Sequence, residues 1–325
     1  MTTRKPRGAK GKGSAAASPE VVFDRRLMEQ HLAAVGRLLA DKEFDSIEEA
    51  NAYLQQAMAG GDLLAPGPTT PLEEAQELIY EAMESRGKQR QELAHKALQI
   101  SPDCVDAYVL LAETEKDPQE ARRLYEHGVQ AGERAIGPET FAEHAGHFWG
   151  ILETRPYMRA RLGLAQALWY LDERQEAIEH LQAMLTLNPG DNQGVRYLLA
   201  NWLTATGDDV ALGELLAQYP DEWSAPWAYT RALQTFRVKG AGKAAEAALK
   251  QALEVNPFVP LYLLGIDRLP KHLPEYYSPG ERNEAVVYMM EGADGWLETR
   301  GALEWLGKSM VRLAVSSAKP RRRRT

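Results

Sequence analysis

The chain has 325 residues, 44% of them hydrophobic, and a formal charge of −8. That length suits one large domain, two ordinary ones or a repeat array growing along one axis, and no apolar run approaches the roughly 20 residues needed to cross a bilayer, so a soluble, cytoplasmic protein with no membrane partner is expected. The single cysteine, Cys104, excludes an intrachain disulfide and any multi-cysteine metal site.

The charge is unevenly spread. Arg4, Lys5, Arg7, Lys10 and Lys12 at one end, and Lys319 with Arg321 to Arg324 at the other, contribute +5 each without an acid, which leaves −18 on the body. Such composition predicts disordered basic tails over 1–20 and 317–325, able to contact nucleic acid, anionic lipid or the acidic body itself. The first tail has no apolar core of the kind a secretory signal requires, and Pro6 and Gly11 to Gly13 spoil an amphipathic presequence.

In chain order, residues 21–64 read as a helical pair. Val22, Phe23, Leu27, Leu32, Val35 and Leu38-Leu39 recur at helical spacing. A second helix begins at Ser46, with Ser46 and Glu49 spaced as a capping box, and Gly60-Gly61 stops it. This pair is expected to cap the exposed end of a solenoid. A turn-rich linker follows, and Thr70-Pro71 supplies an N-cap and a first-position proline for the next helix.

Residues 71–265 carry the repetition. Asn188-Pro189 and Asn256-Pro257 lie 257 − 189 = 68 residues apart, twice the roughly 34-residue period of the tetratricopeptide helix-turn-helix unit. Aligning units on these prolines places Arg161, Leu164, Ala165, Leu168, Ala177, Leu181 and Met184 at the positions where two antiparallel helices pack. The later unit offers Tyr229, Ala232, Leu233, Phe236, Ala245, Leu249 and Ala252. Ala177 and Ala245 stand where closely crossing helices leave no room for a larger side chain. A third unit from 192 to about 223 has Leu198, Leu199, Trp202, Ala211 and Leu215 in register. Upstream, Leu93, Ala97 and Leu98 before Pro102, then Tyr108, Leu111, Ala112, Ala121 and Tyr125, complete about five helix pairs. The interval 189 − 102 = 87 breaks the period, and an irregular insert near 138–155, rich in aromatics and histidine, fills the gap. The fold class is therefore all-α, a tetratricopeptide-like helical-hairpin solenoid with helical caps.

Beyond Pro257 the run from Phe258 to Gly265 is too proline-broken for a long helix and is expected to pack across the last repeat. Residues 266–316 form the second cap, with closing helices over Glu284 to Thr299 and Ala302 to Leu313.

Phosphate-binding, dinucleotide and nucleophile-elbow glycine motifs are absent from the sequence. Lys239-Gly240-Ala241-Gly242-Lys243 is glycine-rich but reads as a helix-helix turn. His144 and His147 are three apart beside Glu143, whereas a zinc-protease helix needs His-Glu-x-x-His; buried packing is the simpler reading, and neither metal nor cofactor is expected. Cys104 reads as a small buried residue at a helix start.

In tetratricopeptide arrays the first helix of each pair lines a concave groove. Here the groove-facing set is Arg159, Gln166, Trp169 and Tyr170, then Gln193, Arg196 and Tyr197, then Trp227, Arg231 and Gln234. One arginine per repeat along a trough, flanked by Trp and Tyr, suits a protein or peptide partner of acidic character; pairing of these arginines with acids of the same chain is the competing reading. The two-carboxylate clamp of chaperone-binding repeats is matched only at Arg231, since Leu162, Gln166 and Tyr197 fill its other positions. A non-catalytic adaptor is the favoured function. The rivals are nucleic-acid association through the tails and a metal-dependent enzyme centred on His144 and His147.

The run from Gly146 to Arg161, GHFWGILETRPYMRAR, the run from Asn188 to Leu199, NPGDNQGVRYLL, and Gly301 to Leu306, GALEWL, resemble bacterial members of the suppression-of-tumorigenicity-seven family. The resemblance spans about Thr70 to Leu306. It implies a tetratricopeptide-like protein of undefined biochemical activity, and its motif places Arg155, Tyr157, Arg159 and Arg161 at the mouth of the best repeat. The family's animal members are membrane-anchored; no spanning segment is expected in this sequence, so that localisation is not carried over.

Overall fold

The computed structural model describes residues 27–40, 42–59 and 67–318; the first basic tail, all of the second but Ser317 and Ala318, which are helical, and the Val22, Phe23 and Gly60-Gly61 signals lie outside the described residues. The described chain is all-helical. After α1 (Leu27–Ala40) and α2 (Ile47–Ala59) come five antiparallel hairpins. These are α3 (Pro71–Glu84) with α4 (Gly87–Ile100), α5 (Val105–Thr114) with α6 (Pro118–His144), α7 (Arg155–Tyr170) with α8 (Arg174–Leu187), α9 (Val195–Thr206) with α10 (Asp209–Gln218), and α11 (Ala225–Lys239) with α12 (Lys243–Val255). Each helix packs on its sequence neighbour, and first helices also pack on first helices, α3 on α5, α5 on α7 and α9 on α11. That pattern is a helical-hairpin solenoid.

The local signals act as written. Thr70 Oγ1 accepts from Glu73 N while the Glu73 carboxylate accepts from Thr70 N, closing a capping box at α3. Asn188 and Asn256 each end a second helix, their N–H groups donating to Met184 O and Ala252 O. Ala177, Ala245, Leu181 and Leu249 are all fully buried between the helices of their hairpins.

The hairpins α5/α6 and α7/α8 approach closely through glycine. A Cβ on Gly163 would stand 2.1 Å from the Tyr125 ring, and one on Gly132 2.8 Å from the Tyr157 ring. Helix α6 continues to His144 across a break at Gly137 (φ 73, ψ 157), further than the sequence implies from Pro138. Two 3-10 turns, Phe148–Gly150 and Leu152–Thr154, then lead into α7. Phe148 is fully buried, 4.9 Å from the Phe141 ring, which in turn stands edge-on to Tyr157 at 5.1 Å. The irregular segment thus extends the core of the α7 and α9 hairpins with aromatic residues at the start of α7.

Helices flank the solenoid at both ends. Helix α1 packs on α3 of the first hairpin and reaches the second 3-10 turn. At the other end the closing stretch 284–299 is two helices, α14 (Arg282–Glu291) and α15 (Ala293–Glu298), after a short α13 (Val259–Leu263) and before α16 (Ala302–Ala318). The break falls at Gly292, where a Cβ would sit 2.5 Å from the Tyr288 ring, so α14 turns there as Tyr288 folds across it. Helix α14 packs on α11, and α15 on α9, with Trp296 stacked against Trp305 and Trp305 against Phe236. Helix α1 on one side and α14 and α15 on the other therefore fold onto the face made by the first helices.

Candidate functional site

The three trough arginines are held within the molecule. Arg159 Nε and Nη2 donate to the two oxygens of Asp106 at 2.9 and 2.7 Å, and its Nη1 reaches Glu29 at 3.0 Å. The Asp106 side chain has no exposed surface. Burial opposes the charge of Arg159, yet the carboxylates of Asp106 and Glu29 overcome it and raise its pKa. Arg155 donates from Nε to Trp149 O and from Nη1 to Glu29. Arg196 pairs with Asp191 at 3.0 Å and Glu222 at 2.6 Å and lies between the rings of Tyr197 and Tyr219. Asp191 also caps α9, accepting from Val195 N and Arg196 N; burial raises its pKa against those bonds.

Helix α11 differs most from the expected groove. Arg231 donates to Leu216 O and Gln234 to Asp209 O, both on α10, and Trp227 is buried with Nε1 on Tyr219 O. All three are inter-hairpin packing residues, turned towards α10 and its C-terminal end. Tyr157 is likewise in the core, its hydroxyl accepting from Arg161. Tyr170 projects into solvent, 75% exposed.

What remains open on the inner face is a cavity of about 860 Å³ between α7, α9, the start of α11 and the closing α14 and α15. It gathers Gln166 and Trp169 from one repeat and Gln193 and Tyr197 from the next, with Asn192, Asn201 and Trp202 beside them. Trp169 and Trp202 stack at 4.4 Å with their planes 2° apart. The Gln193 Oε1 is buried without a hydrogen-bond partner. Glu291 and Asp294 stand at the far wall, and burial pushes the Glu291 carboxyl above its usual range. Side-chain amides both donate and accept, which matches main-chain amides of an extended segment, and the Trp169 indole, stacked on the buried Trp202 with the Arg174 guanidinium 5.1 Å from its ring, forms the apolar side of the recess.

Asn201, Asp106, Glu29 and Glu222 escaped the sequence reading. Asn201 is four residues after Tyr197 and so shares its helix face, a signal present in the sequence. The acids carried none, since the partners are 53 and 130 residues from Arg159.

His144 lies 4.0 Å from the neighbouring Glu143, and among the described residues no group of three or more His, Cys, Asp or Glu side chains is placed to hold a metal ion. Cys104 is buried at the start of α5, and burial pushes its thiol up to about 12. No helix among the described residues is long and apolar enough to cross a membrane.

Fold and site together define an all-helical hairpin solenoid with a recessed amide-and-aromatic cavity on its inner face. No family model matches the chain. It is similar to the Drosophila melanogaster protein called "Protein ST7 homolog", 27% identical over 265 residues, which cover 70% of this chain and 48% of that protein. "Suppressor of tumorigenicity 7 protein-like" of Bos taurus is 27% identical over 241 residues, 66% of this chain and 42% of that protein. The Gallus gallus protein of that name is 26% identical over 267 residues, 73% and 47% respectively. These distant likenesses support the suppressor of tumorigenicity 7-like family, and the chain spans about half the length of the curated relatives it matches.

Proposed function

We propose that the protein is a non-catalytic scaffold or adaptor, built of tetratricopeptide-like hairpins and working in the cytoplasm, whose inner-face cavity receives a segment of a protein partner. The observation that carries this reading is the convergence of Gln166, Asn192, Gln193 and Asn201 beside the Trp169 and Trp202 stack in one recess. Such a wall recognises a main chain by hydrogen bonds and a flanking apolar side chain by contact. Acidity in the partner is not what this cavity selects, because Arg196 is already neutralised by Asp191 and Glu222.

The test is affinity capture on the immobilised full-length protein, with mass spectrometry, for wild type and a Gln166→Ala, Asn201→Ala double variant of equal helical content. Selective loss of captured proteins in the double variant is the expected result. The same proteins retained on both would overturn the reading.

A further inference from the structure

The N-terminal half of the inner face is a second, separate surface, and α1 lies in it. Among the side chains of α1, Glu29 and Leu38 are buried, while Met28 and Leu32 are 56% and 50% exposed. Glu29 enters between Arg155 and Arg159, and Arg37 and Gln30 both bond Glu77 of α3 at 2.9 Å. The seat is electrostatically specific: two guanidinium groups, Arg155 and Arg159, face two carboxylates, Asp106 and Glu29, and only Asp106 comes from the solenoid itself.

The steric fit is poor. A groove of about 650 Å³, open to solvent on one side, runs beside α1, lined on the α1 side by Ala33 and Gly36 and opposite by Leu72, Tyr80, Ile136 and Leu152. A Cβ on Gly36 would meet nothing within 4 Å. Ala33 and Gly36 fill little of this groove, so α1 satisfies the charge of its seat while leaving apolar wall at Leu72, Ile136 and Leu152 that larger aliphatic side chains would cover.

We infer that the α3–α5–α7 trough is a docking surface for an amphipathic helix of a partner protein. That helix carries one carboxylate where Glu29 lies, and bulky aliphatic side chains four and seven residues further along. Helix α1 is the intramolecular place-holder that such a partner displaces. The acid requirement follows from charge balance, since two guanidinium groups against Asp106 alone leave an unpaired buried cation. The aliphatic requirement follows from the empty volume, because added apolar area that fills a void gains both transfer energy and contact. This surface is distinct from the amide-lined cavity, and the two readings fail separately.

The probe is a fluorescein-labelled peptide of residues 27–40 bearing Ala33→Leu and Gly36→Leu, titrated by anisotropy against the full-length protein and its Glu29→Gln variant. Because a tethered helix competes at high effective concentration, binding is expected to be tighter to the variant, whose own helix has lost its carboxylate. A peptide with the native Ala33 and Gly36 is expected to bind about tenfold more weakly, as is a leucine peptide carrying Glu29→Lys. Asn201→Ala in the protein should leave all of these affinities unchanged. Binding to neither protein, or binding indifferent to the charge at position 29, would overturn the inference. Loss of peptide binding with Asn201→Ala would mean that the peptide sits in the other cavity, and would overturn it too.

Discussion

Charge reversal at Arg159 is the natural way to probe a basic trough, and the structure predicts that it would damage the fold. The informative perturbation is Arg159→Met, which keeps the length of the side chain and deletes its charge. It leaves Asp106, with no exposed side-chain surface, holding only the Gln76 Nε2 at 3.0 Å in place of two charged contacts at 2.9 and 2.7 Å. Breaking a buried pair from one side typically costs about 3–5 kcal/mol, against a total stability of about 5–15 kcal/mol for a folded domain. Removing both partners, as in Arg159→Met with Asp106→Leu, should recover much of that loss because no buried charge remains. Urea unfolding followed by circular dichroism reads this as a fall in midpoint, largest for the single variant and smaller for the double. A single-variant loss under about 1 kcal/mol, or a double variant worse than the single, would show that the pair is not the buried junction described.

Three further outcomes follow. Burial, with the Arg161 charge next in importance, pulls His180 down from 6.5 to about 4. A folded pKa below the unfolded one means the unfolded chain binds the proton first, so this contribution is complete above about pH 6.5 and is lost as pH falls towards 4; His180→Gln should flatten the dependence of the melting temperature on pH in that window. Gly163→Ala should cost about 1–3 kcal/mol by overpacking, since its Cβ would meet the Tyr125 ring at 2.1 Å, and Tyr125→Leu in the same chain should restore part of the melting temperature. Cys104, with its thiol pushed up to about 12 by burial, should resist an aromatic disulfide reagent in the native protein and titrate as one thiol in denaturant; rapid native reaction would contradict its burial.

The hairpins were legible because their signals are local or periodic. Ala177 and Ala245 announce close crossings wherever the partner helix comes from, and Thr70-Pro71 with Glu73 specifies a helix start within four residues. The groove was less legible. Position in a repeat puts Gln166, Trp169, Gln193 and Tyr197 on the inner face, where they do gather, but it carries no information about what else covers that face. Trp227, Arg231 and Gln234 occupy equivalent positions, yet Trp227 is buried against Tyr219 and the other two bond carbonyls of α10. Counting arginines also misjudged their charge, because each counter-ion or carbonyl comes from another element.

From its sequence alone the chain determined an all-helical array of hairpins, its small-residue contacts, its capping points and the place, between Pro102 and Pro189, where the repeat period is interrupted. These are properties of residues within about a turn or a repeat of one another. The tertiary structure decided what occupies the inner face: α1 at one end with Glu29 between Arg155 and Arg159, α14 and α15 at the other, and an open recess between them. Such contacts join residues far apart in the chain, 59 positions for Ala225 and Glu284 and 130 for Glu29 and Arg159, and their pairing is set by which buried charges need a partner and which apolar faces need cover, neither of which a repeat period encodes.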